Sequence, residues 1–117
     1  MLPIPEVPPN LLARLRTAPG RMPVEVHLVL EEDDYETKYG DGRFLALRAA
    51  FLDPAAAKAR RDRLVKENEE RLLAKKGTVG YTYHLKSVRL ILDESNNRIF
   101  TDAAYPTRDI VRLLGAP

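Results

Sequence analysis

"LDPAAAKARRDRLVKENEERLLAKKG", residues 52–77, decides the fold. Asp53 is placed to accept a hydrogen bond from the first turn of a helix, and Pro54 suits the first helical position because its missing N–H is an orphan there anyway. Good helix formers follow until Gly77, a residue that commonly ends a helix. Ala57, Leu64, Val65 and Leu72 recur at helical spacing and predict a narrow apolar stripe, small enough at its alanine end to lie close on a sheet. Asn68 falls on the same stripe.

Strands are predicted on either side. "PVEVHLVLE" (23–31) alternates, with Val24, Val26, Leu28 and Leu30 facing one way and Glu25, His27 and Glu31 the other. "RFLALRAAFL" (43–52) reads as a second strand with Leu45, Leu47, Ala49 and Phe51 as its core face. Gly40 and the pair Asp41–Gly42 between them favour a hairpin. "YTYHLKSVRLILD" (81–93) alternates through Tyr81, Tyr83 and Leu85, then resumes one residue out of phase at Val88, Leu90 and Leu92, which predicts a β-bulge near Lys86 and Ser87. Asn96 and Asn97 then mark a turn into a short strand around Ile99 and Phe100.

Short helices are expected at both ends. Asn10 is placed to cap one carrying Leu11, Leu12 and Leu15, and Thr107 one carrying Ile110, Leu113 and Leu114. Pro3, Pro5, Pro8 and Pro9 predict an extended arm over residues 1–10, outside any sheet. The expected architecture is a single α+β domain spanning 1–117. Its four-stranded, mainly antiparallel sheet, covered by the long helix, has its strands in the spatial order 2-1-3-4. The terminal helices would pack on the edges or on the open face.

The succession of "VEVHLVL" (24–30), "FLDPAAAKARRDRLVKEN" (51–68) and "YTYHLKSVRLILD" (81–93) resembles small, uncharacterised ββαβ proteins of bacteria and their phages. The resemblance covers half to two-thirds of the chain and leaves both terminal helices outside. It implies a fold and a bacterial or phage origin, and carries over no catalytic or binding residue.

The chain has no cysteine, which excludes a disulfide frame, a thiolate nucleophile and cysteine-bound zinc. With 19 basic and 17 acidic residues, net +2, overall charge favours neither a polyanion binder nor an acidic solvator. The start "MLPIPEVPPN" lacks a signal-peptide pattern, and no apolar run approaches the ~18 residues of a membrane span. A cytoplasmic protein that does not enter membranes is expected.

Charge is instead concentrated locally. Residues 31–41 hold Glu31, Glu32, Asp33, Asp34, Glu36 and Asp41 against Lys38, net −5. Their spacing does not fit a calcium loop, and a solvated hairpin tip is expected. Residues 58–76 carry eight basic side chains against four acidic ones, net +4. Lys58, Arg60, Arg61 and Arg63 form the candidate contacts to an anionic partner such as nucleic acid; Asp62 would pair with Lys66 on a solvated face.

His27 and His84 are expected on the sheet face away from the long helix, where a shared site with Glu25 nearby is an alternative, but two ordinary half-exposed histidines are the favoured reading. No phosphate loop, nucleophile elbow or dinucleotide fingerprint occurs. Neither an enzyme nor a cofactor is expected. The leading expectation is a small interaction or accessory module. It would bind a protein partner or form a homodimer through an open face bearing Val29, His84, Arg89 and Ile91, with nucleic-acid binding as the alternative.

Overall fold

The computed structural model describes residues 1–17, 23–33, 45–75, 80–102 and 105–114. Its elements are β1 (Leu2–Pro3), α1 (Pro9–Thr17), β2 (Val24–Asp33), β3 (Leu45–Phe51), α2 (Pro54–Ala74), β4 (Tyr81–Asp93), β5 (Arg98–Thr101) and α3 (Thr107–Leu114), with a 3-10 turn over Ile4–Glu6. The sheet runs β1-β5-β4-β2-β3 and every pairing in it is antiparallel. The expected four-strand order is present as β3-β2-β4-β5.

The fifth strand corrects the reading of the proline arm. Leu2 pairs with Ile99 and Pro3 with Arg98, and the Ile4 amide donates to the Asn97 carbonyl at 3.0 Å. A proline is acceptable there because an edge strand needs hydrogen bonds on one side only. The arm is held by Leu2 and Val7, both buried in the main core.

That core lies on the face of Val26, Leu28 and Leu30, where the terminal helices cover it. Leu11 and Leu15 of α1 and Ile110 and Val111 of α3 meet Val88, Leu90 and Ile99 there. α2 lies on the opposite face, over Val29, Ala49, Phe51 and Tyr83. The long helix therefore does not cover the face expected for it, because the larger apolar area belongs to two short helices and the arm together.

The bulge is also displaced. β2 and β4 pair without interruption from Val24↔Leu90 to Asp33↔Tyr81, so nothing is inserted at Lys86 or Ser87. The slip in pattern records a change of covered face instead: Tyr83 packs under α2, whereas Val88, Leu90 and Leu92 belong to the terminal-helix core. A bulge does occur between β2 and β3, where pairing passes from Val29↔Ala49 to Leu30↔Leu47 and leaves Arg48 as the extra residue. It splits the expected face of β3, sending Leu47 to the terminal helices and Ala49 and Phe51 to α2.

The caps follow local chemistry with two shifts. Asp53 accepts from the Ala55 amide at 3.1 Å, as its position predicts. Asn10 and Thr107 lie inside their helices, which begin at Pro9 and Thr107. The carbonyl of Pro8 accepts from Leu12, and that of Pro106 from Asp109 and Ile110, as the first bonds of each helix. Asn97 holds φ at 54°, the left-handed region that asparagine tolerates in turns. The glycines at 40, 42, 77 and 115 and most of the acidic stretch fall outside the described residues.

Candidate functional site

α2 covers only one end of its sheet face, the end of Val29 and Tyr83. Directly paired residues share a face and successive residues alternate, so the rest of that face can be read from the register. Nearest α2 is the row Ser87–His27–Phe51; next come Arg89 and Glu25, then Ile91 beside Phe100, and last Asp93 beside Arg98. Glu25, Ser87 and Arg89 are exposed, and Ile91 and Phe100 are partly so. This uncovered half of the sheet is the candidate site.

Its apolar centre is ringed by charges that are already matched. Arg89 donates to Asp102 through its backbone amide at 2.9 Å and through Nε at 2.8 Å. These bonds hold the Asp102 carboxyl below the usual carboxylate range. Asp93 is held low mainly by the Asn96 side chain, which donates at 2.8 Å, and further by Arg98 at 3.2 Å. The Arg98 guanidinium also lies 5.3 Å from the Phe100 ring centroid, covering part of the aromatic face.

The expected sites are distributed differently. His27 and His84 do not meet: His27 pairs with Ser87 on the α2 face, whereas His84 pairs with Leu30 on the terminal-helix face. His27 Nδ1 lies 3.1 Å from Ser87 Oγ, and His84 Nε2 lies 2.6 Å from Glu32 Oε2. Of the face residues named from sequence, only Arg89 and Ile91 lie on the open half, since Val29 is buried beneath α2. Among the described residues no cluster of three or more histidine, cysteine or acidic side chains is placed to hold a metal ion.

Within the basic half of α2, Lys58 is exposed. Arg60 stacks 5.5 Å from the Phe51 ring centroid. Arg61 binds its neighbour Asp62 at 3.0 Å, in place of the expected pairing of Asp62 with Lys66, and Arg63 binds Glu67 at 3.2 Å. The Ile91–Phe100 pair escaped the sequence reading of the site. Its signal was present in the alternation of β4, but only the register with β5 brings the two side chains together.

Compared with known proteins, the chain matches no family model, no curated protein and no solved structure. Among the described residues no helix is long and apolar enough to cross a membrane.

Proposed function

We propose that the chain is a small non-enzymatic protein-binding module that docks its partner on the open half of the α2 face. The carrying observation is the Ile91–Phe100 pair, left partly exposed on adjacent strands inside a rim of charged residues. An apolar centre with a polar rim is the usual anatomy of a protein interface. Six residues of rise across about three strands give a surface of roughly 20 by 15 Å, which fits a transient contact better than a permanent one.

Nucleic acid is the weaker reading because the arginines are engaged within the chain. Arg89 and Arg98 bind carboxylates, and Arg60, Arg61 and Arg63 each have an aromatic or acidic partner. These five arginines are therefore less available to displace counterions from phosphates. A homodimer also has less support, since the apolar stripes of the terminal helices are buried inside the monomer.

The test is capture from native lysate with the wild-type chain, an Ile91→Asp/Phe100→Asp variant and an Arg60→Ala/Arg61→Ala/Arg63→Ala variant. A partner retained by the triple variant and lost by the double one supports the reading. Loss of the partner on nuclease treatment, or with the triple variant alone, transfers the function to nucleic acid.

A further inference from the structure

We propose that the crevice between the second half of α2 and the sheet, separate from the docking half, binds a small zwitterion of the free α-amino-acid type. It is an open cleft of about 300 Å³, with Leu64, Glu67 and Arg71 of α2 on one side and Glu31, Arg48 and Tyr83 of the sheet on the other. That volume is at the small end for ligand sites and suits a metabolite of amino-acid size.

Two departures from ordinary packing converge on this crevice. The first is the bulge that inserts Arg48, since bulges re-aim a side chain and recur beside binding sites. Arg48 meets Glu31 through Nε at 3.5 Å, a long contact, and its side chain is 50% exposed. Its guanidinium fork remains available to a carboxylate, which it suits geometrically.

The second is the change of character along α2. The sheet-facing stripe passes from Ala57 and Leu64 to Asn68 and Arg71, where apolar residues would pack the helix down. These polar residues are held in place. Asn68 donates to the Tyr81 carbonyl at 3.3 Å and accepts from Arg71 at 2.8 Å, and the Arg71 guanidinium lies 4.9 Å from the Tyr81 ring centroid. Local rules broken in an ordered way are expected at functional sites.

Charge then selects the ligand. Glu31 and Glu67 face Arg48 and Arg71, a formal sum of zero within the lining, and Arg63, outside it, meets Glu67 at Oε1 only. A dianion therefore gains little, and a molecule with separated charges gains at Arg48 and at the other oxygen of Glu67. The ligand's carboxylate meets Arg48, its ammonium meets Glu67, and its side chain lies against Leu64. Tyr83 donates its phenol hydrogen to Glu31, and burial together with that carboxylate keeps it protonated.

The experiment is a ¹H–¹⁵N NMR titration of the full chain with individual free amino acids, and with acetate, ethylammonium and inorganic phosphate. At least one amino acid is expected to shift the crevice amides at millimolar concentration or below. Arg48→Met and Glu67→Gln should each weaken that binding at least tenfold, the loss of one charge-assisted hydrogen bond. Both side chains are half exposed, and unchanged amides in the terminal-helix core verify folding in the same spectra. The proposal falls if no amino acid shifts the crevice, if acetate or phosphate binds as well as the amino acid, or if binding survives Arg48→Met.

Discussion

Tyr83 keeps its proton further into alkali than a free phenol, pushed up to about 12 by burial first and by Glu31 second. The native pKa exceeds the unfolded value of about 10, so its contribution to stability is fully present below that pH and is lost as pH rises through the native value. Tyr83 should form tyrosinate late in an alkaline absorbance titration, and Tyr83→Phe should remove that late phase. If Tyr83→Phe removes no late phase while the circular dichroism stays native, the environment assigned to Tyr83 is wrong. Asp93 and Asp102 have the opposite sign. Their native pKa values lie below the unfolded ones, so their contribution is present above about pH 4 and disappears as pH falls through the native values. Asp102→Asn should therefore flatten the acid limb of a stability curve, with the two proteins converging at the lowest pH. Little of this was legible beforehand. Alternation places a residue on a face of its own strand, but which face of the neighbouring strand matches it depends on register, and so the two histidines were assigned to one face when they lie on opposite ones.

At the scale of elements, β4 carries the clearest lesson. A one-residue slip in apolar pattern has two causes that look alike within one strand: a bulge that turns the backbone, or a straight strand whose cover changes face. β2 contained the deciding clue, because Leu28, Val29 and Leu30 are consecutive and all buried, as required where one cover overlaps the other. The two causes also differ energetically. A bulge would place Leu85 and Leu90 on one face in one core, whereas here Leu90 is fully buried and Leu85 is 40% exposed. Leu90→Ala should cost about 2–5 kcal/mol by cavity formation, and Leu85→Ala roughly 0.5 kcal/mol or less as a surface change, measured by urea unfolding. Similar costs would favour the bulge. The Asp53 cap, the long helix and the turn at Asn96–Asn97 were legible because each depends on neighbours within a few residues. Which face α2 covers was not, since that choice rests on competition with helices at the two ends of the chain.

For the molecule as a whole, offset layers explain shape and mobility together. The terminal helices cover one sheet face from Leu92 as far as Leu30, Leu47 and Ala50, and α2 covers the opposite face only around Val29, Ala49, Phe51 and Tyr83. The layers overlap but are not centred on each other, and the longest axis measures 53 Å. Its Cα radius of gyration is 16.7 Å, against about 13 Å for a compact chain of this length. The two layers are held unequally. Leu28, Leu90, Ile99 and Ile110 are fully buried in the terminal-helix core, whereas the α2 layer rests on Val29, Ala49 and Ala57 with partly buried Phe51, Leu64 and Tyr83. Only Ala57 within α2 itself is fully buried. Lifting the far half of α2 exposes little apolar area, so its free energy should be well below that of global unfolding. Hydrogen exchange should reveal this as two classes: amides of α2 beyond Leu64 exchanging through local opening, and amides of Val26, Leu28 and Leu90 exchanging only with the whole molecule. A destabilising change in the terminal-helix core, such as Leu90→Ala, should accelerate the second class and leave the first nearly unchanged. Equal protection in both classes, or equal acceleration by that substitution, would mean that the layers unfold as one unit despite their offset.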